Sequence, residues 1–262
     1  MKVKVQRKWF NIKNTWQQLT IAEAQRMAAV EPPKDYLDFL QGNIDELPPD
    51  AQRATLEWVG KILPILSDMT DEELNYITPA DRGLLLNSLL PIISGVYLQL
   101  PYDVQPLGVS PVISIGGDLY DMPTVRKVYD REIYFTTLPF KTFSEIIEIQ
   151  QASDDLIRNA ALLCALVLRK FDDPLQLSED EKLKRAELFQ QLSMYDFWQV
   201  FFSFSEVVIQ SLKYTELCLL RESERKLRKE LLVQLLKKYY LLPVERLASL
   251  ITSGFKKVFM RH

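Results

Sequence analysis

The chain has 262 residues, of which 47% are hydrophobic, 11% aromatic and 26% charged, with 8 glycines and 2 cysteines. This composition excludes wholesale disorder, a collagen-like repeat and a disulfide scaffold. The formal net charge is −3, and the one histidine is the terminal His262, which excludes a His-based triad or a multi-His metal site.

Charge is unevenly spread. Lys2, Lys4, Arg7, Lys8 and Lys13 make residues 1–13 basic, with no acid among them. Lys237, Lys238, Arg246, Lys256, Lys257 and Arg261 outnumber Glu245 over residues 237–262. The body between is therefore acidic, and such basic ends suit either solvation or contact with phosphate or an acidic partner. Met1 to Phe10 lacks the apolar core of a signal peptide, and no run of 18 apolar residues occurs. The expected compartment is the cytoplasm, with no integral membrane contact.

The first helix signal is Thr20-Ile-Ala-Glu23, a capping box followed by Ile21, Ala24, Met27 and Ala28 at helical spacing up to Pro32-Pro33. A short amphipathic piece with Tyr36, Leu37, Phe39 and Leu40 ends near Gly42. Pro48-Pro49-Asp50 opens a helix carrying Leu56, Val59, Ile62, Leu63 and Leu66, in which Pro64 predicts a kink or an early end. Thr70 before Asp71-Glu72-Glu73 reads as a cap with acids in the first turn. Thr78-Pro79 starts a helix toward Tyr97, with Pro91 and Gly95 weakening its second half.

Residues 101–140 differ in texture, with Pro101, Pro106, Pro111, Pro123 and Pro139 beside Gly108, Gly116 and Gly117. Val112–Ile115, Gly116-Gly117 and Asp118–Tyr120 predict a β-hairpin, because consecutive glycines supply the positive φ of a tight turn. Ile133–Thr137 is a candidate further strand. This is the single β-leaning insertion expected in the chain.

Thr142-Phe-Ser-Glu145 reads as another capping box. Asp154–Lys170 is apolar almost all round and belongs in a core, and Phe171-Asp-Asp-Pro174 ends it. Ser178-Glu-Asp-Glu181 caps a helix that includes Leu183, Ala186, Leu188 and Phe189. From Met194 to Leu212, one face holds Met194, Phe197, Trp198, Phe201, Phe204, Val208 and Leu212. Tyr195, Val200, Phe202, Val207 and Ile209 widen that face, leaving a polar stripe of Asp196, Gln199, Ser203, Glu206 and Gln210. Two such helices imply a central pair wrapped by amphipathic neighbours. Glu216–Tyr239 reads as a surface helix with i,i+4 ion pairs Glu222–Lys226 and Glu224–Arg228. After Pro243 a last amphipathic helix carries Leu247, Leu250, Ile251, Phe255 and Phe259. The predicted fold is mainly α, a multi-helix bundle with a small β-hairpin insertion. It divides into a helical region 1–100, the insertion 101–140 and a helical core 141–262, together one compact domain.

The chain lacks G-x-G-x-x-G, a Walker loop, G-x-S-x-G and C-x-x-C, which argues against nucleotide binding through a glycine-rich loop. Carboxylates cluster at Asp71-Glu72-Glu73, Asp154-Asp155, Asp172-Asp173 and Glu179-Asp180-Glu181. Such pairs can hold Mg²⁺ or act as acid and base, but three of the four sit at predicted helix starts, where the dipole favours them. Cys164 and Cys218, both among leucines, read as small core hydrophobes. The aromatic group around Trp198 reads as core, or else as a binding groove. The basic, apolar segment Arg246–Arg261 suits docking on its own domain, on a partner or on an acidic surface. The candidate partner-binding residues are Tyr195, Trp198, Phe202, Leu247, Ile251 and Phe255.

The order of elements carries a resemblance. A basic start passes through Trp16-Gln-Gln-Leu-Thr20 into a helix, and the middle holds Gly117-Asp-Leu-Tyr-Asp-Met-Pro123. The apolar helix 155–169, an acidic spacer and Lys184-Arg-Ala-Glu-Leu-Phe189 then lead to the aromatic helix. Over roughly residues 15–210 this layout resembles the tail assembly chaperones of tailed phages and prophages. The resemblance implies a non-enzymatic cytoplasmic protein, without cofactor or metal, that binds a long helical tail component such as a tape measure. The alternative is a nucleic-acid-associated regulator using the basic ends, against which the lack of a recognition helix counts.

Overall fold

The computed structural model describes residues 1–5, 8–99, 112–123, 125–128, 133–136, 140–152, 155–174 and 176–220. Among them the fold is mainly helical, with a small antiparallel hairpin in the middle of the chain.

The basic N-terminus folds into a hairpin that the sequence did not announce, β1 (Lys2–Val5) paired with β2 (Lys8–Asn11). Strand alternation turns Phe10 into the core with Val3 packed against it, and turns Lys2, Lys4 and Trp9 outward. The far edge of β2 follows the loop after residue 66. Asn11 N donates to Asp68 Oδ1 at 2.9 Å, and Lys13 N donates to the Leu66 carbonyl at 2.8 Å.

The first helical layer holds α1 (Ile21–Ala28), α2 (Lys34–Leu40), α3 (Pro49–Leu66), α4 (Asp71–Leu74) and α5 (Pro79–Tyr97). Thr20 with Glu23 forms the expected capping box, and the expected caps Thr70 and Thr78 are also reciprocal, with Glu73 and Asp81. Helix α3 runs through Pro64 to Leu66, so the proline sits in its last turn, close to the early end expected there. Helix α5 likewise runs through Pro91 and Gly95 to Tyr97. Gly95 is a seat for an indole: a Cβ there would lie 2.2 Å from two ring carbons of Trp16. Trp58 stacks between Tyr36 and Tyr97, at 5.5 and 5.4 Å, and ties α3 to its neighbours.

The mid-chain hairpin pairs β3 (Val112–Ile115) with β4 (Asp118–Asp121), and Gly116 and Gly117 turn it with φ of 61° and 90°. The strand expected at Ile133–Thr137 is β6 (Ile133–Thr136), and its partner is β5 (Val125–Val128). The predicted insertion 101–140 thus holds two of the three antiparallel hairpins among the described residues, and the third is the N-terminal one.

The second layer holds α6 (Phe140–Ala152), α7 (Leu156–Val167), α8 (Glu179–Phe189) and α9 (Met194–Leu220). Thr142 does not cap a helix. Helix α6 starts at Phe140, so Thr142 lies inside it, buried, and accepts from Arg169 Nη2 at 3.0 Å. Helix α7 stops at Val167, short of the predicted Lys170, because Arg169 pairs in extended form with Asp121. Asp155 caps α7 by accepting from the amides of Ile157 and Arg158. Helix α9 is continuous across the break expected between Leu212 and Glu216. Gln199, assigned to a polar stripe, is buried. The remainder of the Glu216–Tyr239 helix and the segment with Leu247, Ile251 and Phe255 lie outside the described residues.

Helix α7 sits at the centre, against α1, α6, α8 and α9. Its pairing with α9 is the buried couple the sequence implied. Backbone hydrogen bonds join the start of α1 to the start of α9: Ile21 N to Leu192 O at 2.9 Å and Met194 N to Leu19 O at 2.7 Å. One hydrophobic core contains Leu19, Ile62, Leu89, Cys164 and Phe197 together. No helix among the described residues is long and apolar enough to cross a membrane.

Candidate functional site

Trp198 is 1% exposed and meets Trp16 edge to face at 6.2 Å, with the rings of Phe197, Phe201 and Phe202 around it. Tyr195 and Phe202 flank it half-buried. Trp198 therefore packs the core and presents no surface in this structure. Of the six expected partner-binding residues, Tyr195 and Phe202 alone are described as reaching solvent, and Leu247, Ile251 and Phe255 lie outside the described residues. A small void beneath α9, lined by Leu163, Cys164, Phe197 and Phe201, is wholly apolar and offers no polar partners to hold even a water. Burial pushes the Cys164 thiol far up, and the charge of Asp196 adds to this, so Cys164 is inert packing.

The acid clusters have structural occupations. Glu73, Asp155 and Glu181 cap helices. Asp173 is the exception, and it builds a site. Residues 170–173 form a turn in which Asp173 N donates to Lys170 O at 3.2 Å and Lys170 N donates to Asp173 Oδ2 at 2.8 Å. Arg185 of α8 grips both carboxylate oxygens of Asp173, and the two side chains are nearly buried. Burial raises the Asp173 carboxyl, but the Arg185 and Lys170 hydrogen bonds outweigh it and hold the group below the usual carboxylate range. The Tyr120 ring of β4 lies beneath the cations of Lys170 and Arg185, 5.3 and 5.7 Å from its centroid, and meets Phe189 edge-on at 5.0 Å. Lys170 also pairs with Asp118.

This clamp holds Phe171, which is 99% exposed. The Asp121–Arg169 bridge runs β4 beside the same segment, and Leu119, two residues from the bridge, is 65% exposed. Asp118 and Asp121 flank Leu119 in β4 and Asp172 follows Phe171; all three are exposed, Asp118 in its pair with Lys170. The arrangement is a fixed turn that presents an aromatic anchor among side chains of both charges. The sequence placed Phe171 only as a helix terminator. The available signal was a large apolar residue inside a turn otherwise built of Asp and Pro.

Helix α8 shows a second reversal. Lys182 is buried between Glu145 at 2.8 Å and Glu179 at 2.7 Å, while Leu183 faces water. Burial pulls the Lys182 ammonium down, but the two carboxylates overcome this and leave it raised. Among the described residues, no group of three His, Cys, Asp or Glu side chains is placed to hold a metal ion. No family model, curated protein or solved structure matches the chain.

Proposed function

We propose that this protein is a non-enzymatic assembly factor of the tail-assembly-chaperone kind, binding a helical partner protein in the cytoplasm, such as a tape-measure-like tail component. The observation that carries the reading is Phe171. A fully hydrated phenylalanine does nothing for the stability of its own fold. Here it sits on a turn fixed by a nearly buried ion pair, so little conformational freedom is lost when a partner covers it. Aromatic anchors of this kind carry a large share of binding energy in protein interfaces. An amphipathic helix offers the apolar face such an anchor needs, and a basic residue on it would meet the exposed Asp172 beside Phe171.

The test is a pull-down from the native host with the wild-type protein and Phe171→Ser. The wild type is expected to hold a large helix-rich protein at fixed stoichiometry. The variant is expected to lose it while its stability stays within about 0.5 kcal/mol, as for other surface changes. Equal capture by both, or no protein capture by either, overturns the proposal.

A further inference from the structure

The outer face of the N-terminal hairpin combines features that the protein-partner reading leaves unused. The register sets Lys4 directly across from Trp9, and Lys2 one pleat further along the same face. Trp9 is 65% exposed, whereas Trp16, Trp58 and Trp198 are buried. The Lys4 ammonium lies 5.9 Å from the Trp9 ring centroid. Neighbouring lysines are neutralised: Lys8 pairs with Glu73 at 2.9 Å and Lys13 with Glu23. Lys2 and Lys4 make no ion pair among the described residues. The ring is held on a firm support, since Phe10 on the opposite face is in the core and Asn11 is tied to Asp68.

We infer that this face binds single-stranded nucleic acid, with Trp9 as the stacking platform for a base and Lys2 and Lys4 meeting adjacent phosphates. Stacking on an aromatic ring accepts any base, because every base has a π-face, and lysines track the backbone. A single strand fits better than the other anionic partners. An acidic peptide has no flat π-surface for Trp9. An anionic membrane is an extended sheet that would also meet the acidic body, which repels it. A single strand touches the hairpin face alone.

The intact protein provides its own probe. With the other three tryptophans buried, quenching of the exposed component of emission reports Trp9. A short oligo(dT) is expected to quench it. Two phosphate contacts give a slope of log K against log salt of about −1.4, from roughly 0.7 per contact for single strands. Followed by the anisotropy of a dye-labelled oligo(dT), which needs no tryptophan, Trp9→Leu and the Lys2→Glu, Lys4→Glu double variant, each with unchanged circular dichroism, are expected to weaken binding at least about tenfold, the first by losing the stacking of one base and the second by losing the phosphate contacts. Loss of binding in only the lysine variant, equal quenching by poly-glutamate, quenching by phosphatidylglycerol vesicles alone, or no quenching at all overturns the proposal. None of these outcomes bears on Phe171, so the two proposals fail independently.

Discussion

Asp173 and Arg185 show how one side-chain pair fixes a surface. Both are removed from most of their water, so each depends on the other for its charge to be tolerated. Asp173→Asn leaves the guanidinium with a weaker acceptor, and the expected loss is about 3 kcal/mol, the low end of the cost of breaking a buried pair because the amide keeps one acceptor. The pH dependence follows from the direction of the shift. A carboxyl held below its unfolded value contributes stability that is complete above about pH 4 and fades as pH falls through the lower folded value. Glu23 and Glu181 are held low as well and act with the same sign. Urea unfolding across acidic pH is expected to show the wild type weakening below about pH 4. Asp173→Asn is expected to weaken less steeply there. An identical slope in both proteins would show that Asp173 is not held low. None of this was legible from the sequence, where Asp172-Asp173 was one acid cluster among four. The partner that gives Asp173 its role lies twelve residues on, in a helix whose rotation the sequence does not state.

Elements whose signals are local were legible. A capping box closes within three residues and a Thr-Pro start within two, so Thr20, Ser178 and Thr78 mark their helix starts correctly. Thr142-Phe-Ser-Glu145 has the same letters and fails, because Arg169 takes the threonine and Lys182 takes the glutamate. The N-terminal hairpin is not legible in this way, because the alternation of lysine and valine in Lys2–Val5 reads as charge. The mid-chain hairpin was visible in Gly116-Gly117, and it supports a test of why those letters work. Gly117 has a φ of 90°, and an added Cβ would meet nothing within 4 Å. A substitution there is felt through backbone conformation alone. Gly117→Val is expected to destabilise by about 1–2 kcal/mol and Gly117→Asn by less, since asparagine tolerates positive φ. Equal urea midpoints for the two variants would show that the turn relaxes to another form.

At the scale of the molecule, the two helical layers are not separable. Residues 19–21 exchange backbone hydrogen bonds with residues 192–194, and Gln25 of α1 donates to the Ile157 and Arg158 carbonyls at the start of α7. Trp58 lies in the first layer, Trp198 in the second, and Trp16 touches both through Gly95 and Trp198. Tryptophan emission and far-UV circular dichroism are therefore expected to trace one unfolding transition with a shared midpoint. Two separate midpoints would show that the layers fold independently. The central α7–α9 couple was readable because both helices are apolar nearly all round. The exposed anchor was not, because an apolar residue at the surface and one in the core look alike until neighbours are placed around them.

The seat of Trp16 over Gly95 has a consequence for how this sequence is free to drift. Any side chain at position 95 claims space the indole already fills, and any smaller ring at position 16 leaves a hole against Trp198. The two positions are bound as a pair across 79 residues of chain: they change together, or neither changes. In a set of diverged copies, a residue larger than glycine at 95 would be accompanied by a side chain smaller than tryptophan at 16, and that correlation would mark the contact without a structure.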